Sequence, residues 1–399
     1  MNFLLADVRD GLGPYLAIYL LIEQKWDEAS IGAVMSVAAL AGIVAQTPAG
    51  ALIDRSTAKR ALMVTAAILV TLSCALLPLI QRFELVAATQ ALAAASGAIF
   101  APAIAAVTLG IVGPKAFARR TGRNEAFKHA GNAVAAAIAG VTAYSFGPIV
   151  VFWLLAAMAI ASIFAILSIP AGAIDHHVAR GLDDTTEGVA VHDKPSGFRV
   201  LLTCRPLLIF ACATVAFHFA NAAMLPLVGQ KLALVNRNLG TTLMSVCIIA
   251  AQMVMVPVAM LVGRKADSWG RKPIFAVALA VLTLRGALYP FSDNPYWLLS
   301  VQLLDGVGAG IFGALFPLVV ADLTHGTGHF NVSQGAIATA AGLGGALSTA
   351  AAGLIVVKAG YSAAFLFLAA VAGAGLIGFC TMMPETLRHA RDKSVRGSG

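Results

Sequence analysis

The residues most able to do chemistry sit in the first apolar stretch, Asn2 to Leu21, where Asp7, Arg9 and Asp10 interrupt an otherwise hydrophobic helix. A charged side chain at the centre of a bilayer costs about 2.5–3.5 kcal/mol on insertion scales, so such residues face a protein interior or a water-filled cavity. Asp7 and Asp10 are three apart and share a helix face, whereas Arg9 is turned toward a neighbouring helix. Aspartate is too short to reach the headgroups from here. Gly11, Gly13 and Pro14 then loosen the backbone, as transport sites often require. The charges follow Met1 so closely that a trimmed N-terminus is expected.

Further polar groups recur in apolar surroundings. Glu125, Lys128, His129 and Asn132 form a stripe at helical spacing, which reads as a path or as an interfacial end. His218 and Asn221 fall about mid-span, and a lone His there is either a hydrogen-bonded core residue or a proton carrier. Asp305, in Leu304-Asp-Gly-Val-Gly-Ala-Gly310, lies about 15 Å along its helix. It can carry a proton, or form a structural salt bridge with Arg285, which otherwise snorkels outward. Gln90 and Gln302 are both expected to hydrogen-bond between helices.

Composition decides what kind of element positions these groups. Hydrophobic residues make up 59% of the 399, charged residues 12%, and mean hydropathy is +0.85. Soluble domains are about half apolar and a quarter charged, so this is a polytopic membrane protein. Cys74, Cys204, Cys212, Cys247 and Cys380 are odd in number and scattered, which gives neither a disulfide framework nor a CxxC metal site. Walker A, dinucleotide, HExxH and zinc patterns are absent, so neither an enzyme nor a cofactor is expected. The first stretch lacks a basic n-region, so no cleavable signal peptide is expected.

Apolar stretches long enough to cross a bilayer occur at roughly 3–22, 29–53, 61–81, 84–112, 124–146 and 148–170, then at roughly 206–232, 240–265, 273–292, 295–322, 333–357 and 361–383. The predicted fold is all-α, with twelve transmembrane helices in two homologous six-helix bundles. The expected domains are a bundle at 1–170, a polar, flexible cytoplasmic linker at 171–198, a bundle at 199–386 and a cytoplasmic tail at 387–399. His176, His177 and His192 belong to that solvated linker. Twenty lysines and arginines fall on the side of the termini and five on the other, which places both termini in the cytoplasm of a bacterial inner membrane. Tyr289, Tyr296, Trp297 and Tyr361 fall near outer ends, as an aromatic belt would.

The halves are copies. Thr71-Leu-Ser-Cys-Ala-Leu-Leu-Pro78 matches Thr283-Leu-Arg-Gly-Ala-Leu-Tyr-Pro290 at an offset of 212, which also pairs Gln90 with Gln302. At 213, Asp54 pairs with Asp267 and Gly140 with Gly353. The repeat acts as an internal control. Asp7, Arg9 and Asp10 correspond to Phe219, Asn221 and Ala222, Arg285 to Ser73, and Asp305 to Ala93. A charge required by the fold would tend to recur, so these serve a path between the halves.

After the second span stands Gly50-Ala-Leu-Ile-Asp54-Arg55-Ser-Thr-Ala58-Lys59-Arg60, and after the eighth Gly263-Arg-Lys-Ala-Asp267-Ser-Trp-Gly270-Arg271-Lys272. With these loops, twelve spans and two halves, the whole chain resembles the major facilitator superfamily, whose signature loop has this pattern. The copies depart from it at Ala58, where Gly is usual, and at Ser268, where a basic residue is usual. The resemblance implies a latch that closes the cytoplasmic side, gating less tightly in the second copy. Physically, Asp54 can meet the positive N-terminal end of the eleventh span near Asn331 to Gln334, with Arg55 and Arg60 pairing across the loop. Drug exporters of the superfamily typically carry Arg in the fourth span, where this chain has Ala93 and its neighbours.

The resulting expectation is a monomeric secondary transporter working by alternating access, exporting a small molecule or cationic compound in exchange for protons. Asp7, Asp10 and Asp305 bind the cation or proton; Arg9, Arg285, His129 and His218 tune them. A divalent-metal exporter using carboxylates with His218 and Cys212, or an organic-anion carrier using the arginines, is the alternative. A membrane receptor is the remaining class. Nucleic acid is not an expected partner.

Overall fold

The computed structural model describes residues 1–10, 16, 19–20, 23–146, 150–182, 202, 204–235 and 240–387; the side chains of 7–10, 28–29, 140–141, 143–146, 150–151, 233–235 and 240–245 lie outside it. The described residues form helices and no strand. These are α1 (Asn2–Asp10), α2 (Glu28–Arg55), α3 (Lys59–Leu76), α4 (Phe83–Gly97), α5 (Phe100–Phe146) and α6 (Val150–Leu167), then α7 (Arg205–Ala222), α8 (Met224–Val235), α9 (Gly240–Trp269), α10 (Arg271–Leu288), α11 (Pro295–Thr324) and α12 (Phe330–Met382). Local chemistry sets several starts. Asp27 caps α2 by accepting from Ser30 N at 2.9 Å, and Asn294 caps α11 by accepting from Tyr296 N at 2.9 Å, ahead of Pro295 at its first turn.

Eight described helical stretches are long and apolar enough to cross a bilayer. One of them, α12, has 53 residues, or about 80 Å at 1.5 Å per residue, more than twice a hydrocarbon core. Gly360 interrupts it at φ 83°, and Gly113 interrupts α5 at φ 69°. Each glycine therefore separates two of the expected spans. The fifth span consequently starts at Pro114, ten residues before the apolar run.

Two compact units divide the chain: Met1–Gly113 with Phe127–Gly197 and Gly326–Gly335, and Pro114–Ala126 with Phe198–His325 and Ala336–Gly399. Two short segments, 114–126 and 326–335, are thus grouped apart from the residues that flank them in sequence.

Each unit repeats the other's packing. In the first, α2 and α4 cross where a Cβ on Gly42 would lie 3.5 Å from Ala94 Cβ; in the second, α9 and α11 cross where one on Gly306 would meet Val254 Cβ at 2.5 Å. Gly42 and Val254, and Ala94 and Gly306, are repeat mates, so the small residue has moved to the facing helix at the same crossing. Close approach of this kind, rather than a hydrophobic drive, holds helices together in lipid. The first unit's core gathers Met63, Cys74, Phe100, Val107 and Leu155. The second carries a ladder of rings, with Phe217 stacked on Phe312 at 4.9 Å and Phe312 on Phe316 at 5.5 Å.

The expected flexible linker needs correction over its first dozen residues. Ile174, Ala179 and Leu182 are buried, and Ile174 and Ala179 join the first unit's core. Asp175 Oδ1 accepts from His177 N and Val178 N, Asp175 N donates to the Gly110 carbonyl at 3.0 Å, and Gly326 N donates to the Gly181 carbonyl at 2.6 Å. Polar side chains on this strap mask three apolar ones that anchor it. His192 lies outside the described residues.

Candidate functional site

The second unit holds a closed polar network between apolar helices. Arg285, three residues before the end of α10, has a side chain only 1% exposed. Its Nη1 donates to Asp305 Oδ1 at 2.7 Å and to Asn221 Oδ1 at 2.5 Å, its Nη2 to Gln302 Oε1 at 2.9 Å, and its Nε to Tyr289 Oη at 3.0 Å. Tyr289 Oη donates to Gln302 Oε1 at 2.7 Å, and Gln302 Nε2 to Asp305 Oδ2 at 3.1 Å. The spacing explains the convergence. Arg285 and Tyr289 are four apart on α10, and Gln302 and Asp305 three apart on α11, so each pair shares the facing side of its helix. Asn221 arrives from the end of α7.

Two expectations change here. Arg285 does not snorkel outward, because four acceptors hold it inside. Tyr289 is fully buried and serves the arginine rather than a headgroup belt. Asp305 realises the salt bridge, and its side chain keeps 12% exposure. It is therefore the more accessible member of the pair. A guanidinium cannot give up its proton, so any proton exchanged by this pair resides on the carboxylate.

His218 Nδ1 donates to the Thr214 carbonyl at 3.0 Å, and its ring stands edge-on to Phe312 at 4.8 Å. Backbone and aromatic contacts thus orient it. No group of three or more His, Cys, Asp or Glu suited to a metal occurs among the described residues. Glu125 lies against Gly313, where a Cβ would come 2.8 Å from Oε2. Glu125 belongs to the second unit, whereas Lys128, His129 and Asn132 belong to the first, so the stripe is split. His129 is buried and Asn132 half-buried. Asp7, Arg9 and Asp10 lie on α1 or at its end, and their side chains, with residues 11–15, are outside the described residues.

The first signature loop makes a second site, within the first unit. Asp54, at the end of α2 and 1% exposed, accepts from Asn331 N at 3.2 Å, Val332 N at 2.8 Å and Asn331 Nδ2 at 2.8 Å. These are first-turn donors of α12, where free N–H groups and the helix dipole favour an anion. Asn331 Nδ2 also donates to the Ala179 carbonyl at 3.0 Å, tying the strap to the same turn. Glycine permits the approach: a Cβ on Gly50 would run into the Asn331 carbonyl, and one on Gly335 into that of Gln46. Lys59 is buried and donates to the Ser56 carbonyl at 2.7 Å. Arg60 does not meet Arg55; its Nη2 donates to the Leu167 carbonyl at 2.7 Å, and Arg55 is exposed. On the strap, His176 is held below the ordinary histidine pKa of 6.5, first by partial burial and then by the positive charge of Lys59.

The second copy repeats the glycine contact but not the latch. Gly263 meets Gly122, and Gly122 meets the Ala259 carbonyl, the repeat images of Gly50, Gly335 and Gln46. Asp267, the mate of Asp54, instead accepts from its own Arg271 at 2.7 Å and is half exposed. Arg271 Nε also donates to Asp322 at 3.0 Å, and Glu385 accepts from Arg271 N at 2.9 Å and Lys272 N at 3.1 Å, capping α10. Gly270, at φ 89°, leaves the room Glu385 needs. Ala118 stands where Asn331 does, so the amide that reads Asp54 has no counterpart.

Repeated bundles of long apolar helices, with an arginine–carboxylate network buried among the helices of the second unit, define a polytopic membrane protein of the transporter kind. The Major Facilitator Superfamily model matches residues 1–348 and 254–398, and the chain belongs to that family. An uncharacterized MFS-type transporter of Mycobacterium tuberculosis, found in strain H37Rv and strain CDC 1551, is 62% identical over 396 residues, spanning 99% of this chain and 93% of the relative. Two solved structures share the fold. The E. coli fucose:proton symporter FucP superposes with TM-score 0.71 at 16% identity, over 96% of this chain and 97% of that one. The proton:xylose symporter XylE, bound to a halogenated glucose derivative, gives 0.74 at 14%, over 98% and 96%.

Proposed function

We propose that the protein is a proton-coupled carrier of a small organic solute, with Asp305 as the group that takes and releases the proton and Arg285 as its permanent counter-charge. The observation that carries this reading is the buried Arg285–Asp305 pair in a half whose repeat mates are Ser73 and Ala93. When Asp305 is protonated the ion pair weakens and Arg285 is left with neutral acceptors, so proton binding changes the local electrostatics of the solute site. Asp54 on the first turn of α12, strengthened by Asn331 and the strap, acts as the cytoplasmic latch of an alternating-access cycle. The protein works as a monomer in the bacterial inner membrane, with its termini inside. Asp7 and Asp10 are further candidates for binding the proton or a cation, with Arg9 tuning them. Export in exchange for protons is the direction we favour, from the acidic residues expected in both halves. Symport is the second reading, favoured by the two solved proton symporters that share the fold.

Purified protein in liposomes loaded with a pH-sensitive dye tests this, with sugars, lipophilic cations, organic anions and divalent metals applied one class at a time. A solute that shifts internal pH supports coupling, and the sign of the shift separates symport from exchange. Solute uptake with no pH change in any class overturns it.

A further inference from the structure

Gln90 and Gln302 are repeat mates, each seven residues past the start of its helix, yet their surroundings differ completely. Gln302 uses its whole carboxamide, accepting from Arg285 and Tyr289 and donating to Asp305. In the first half those three partners are replaced by Ser73, Leu77 and Ala93. Two of the replacements have no polar atom, and Ser73 is itself buried. Gln90 is 5% exposed, and its Nε2 has no hydrogen-bond partner among the described residues. An amide left unpaired at membrane depth is costly, so a side chain kept there without a protein partner points to a partner that comes and goes.

We propose that the Gln90 carboxamide is a solute-binding position in the first half, taking a hydroxyl or carbonyl oxygen of an uncharged polar part of the solute. The inference rests on the carrier reading and adds a specificity residue to it. Carboxamide chemistry sets the class: two N–H donors and one oxygen acceptor without charge match hydroxyls and carbonyls, and offer no counter-charge to an ion.

Two measurements on the purified full chain test this, and neither reads transport, so failure of the carrier reading does not affect them. Gln90→Leu and Gln302→Leu are compared by thermal unfolding. Gln90→Leu, which breaks no bond, keeps or raises the melting temperature, whereas Gln302→Leu lowers it by several degrees. Gln90→Cys and a Val86→Cys control one turn away are then exposed in liposomes to a charged, water-soluble methanethiosulfonate, and modification at each position is read by mass spectrometry. Position 90 reacts at least tenfold faster than position 86, which is fully buried. Equal rates, or a Gln90→Leu protein as destabilised as Gln302→Leu, would overturn the proposal, the first because the site is closed to solutes and the second because a structural partner holds the amide.

Discussion

Replacing Arg285 with methionine removes the positive centre of the second unit's network and little of its volume. The structure sets the size of the effect. Asp305 loses its ion pair and keeps only the Gln302 amide, Asn221 loses the 2.5 Å bond, and the Gln302 and Tyr289 oxygens lose one donor each. Removing one partner of a buried pair costs about 3–5 kcal/mol, roughly two to four orders of magnitude in the unfolding equilibrium. Taking away Asp305 as well, in Arg285→Met with Asp305→Leu, removes the stranded charge and leaves Tyr289 bonded to Gln302. The double variant should therefore recover at least half of the loss, with a coupling energy of about 2 kcal/mol or more. Unfolding of wild type, both singles and the double in the same bilayer mimetic, titrated with denaturing detergent, gives the cycle. Additivity of the single effects within about 0.5 kcal/mol would refute the claim that Arg285 and Asp305 stabilise the fold as a pair.

The other contacts give shorter tests. Asp54→Ala strands two backbone donors in the first turn of α12 and takes one of two acceptors from Asn331 Nδ2, and should cost about 2 kcal/mol or more in unfolding, whereas Asp54→Asn, which keeps an oxygen, should cost less than half as much. Gly110→Val places a Cβ 2.6 Å from the Asp175 carbonyl and should release the strap, seen as tryptic cleavage at Arg180 several-fold faster than in wild type. His176, with its folded pKa depressed, favours the neutral ring. Its contribution is present above pH 6.5 and lost as pH falls below it, so cleavage at Arg180 should rise toward pH 5.5 in wild type and stay flat in His176→Gln. Gly50→Leu drives a side chain into the Asn331 carbonyl and should cost about 1–3 kcal/mol, measured by thermal unfolding.

Much of this architecture can be read from the residues, because hydropathy and an internal repeat are both carried by side chains. Asp54 and the first turn of α12 were also readable, since a carboxylate at one helix end and a helix start nearby are electrostatic complements. The strap was not, because its three buried apolar side chains stand among polar ones and its other ties run through the backbone carbonyls of Ala179, Gly181 and Gly110, which leave no mark on residue type. Gln90 and Gln302 are identical as letters; their fates diverge through Leu77, Ser73 and Ala93 on neighbouring turns. Likewise Asp54 and Asp267 fill the same motif position, yet Asn331 stands where the repeat has Ala118, and Arg271 follows Asp267 by four residues where Ala58 follows Asp54, which separates an interhelical latch from a local ion pair. Tyr289 near a span end could serve a headgroup or a buried arginine equally, and only packing decided between them.

The most direct test of proton coupling through Asp305 compares two transport modes in liposomes for one solute found to move protons. Asp305→Asn keeps a hydrogen-bonding side chain of the same size beside Arg285 but cannot carry the proton. The account predicts that the variant still exchanges labelled for unlabelled solute at a rate within a few-fold of wild type, yet neither accumulates nor expels solute in response to a pH gradient. Gradient-driven transport by Asp305→Asn at the wild-type level would contradict it.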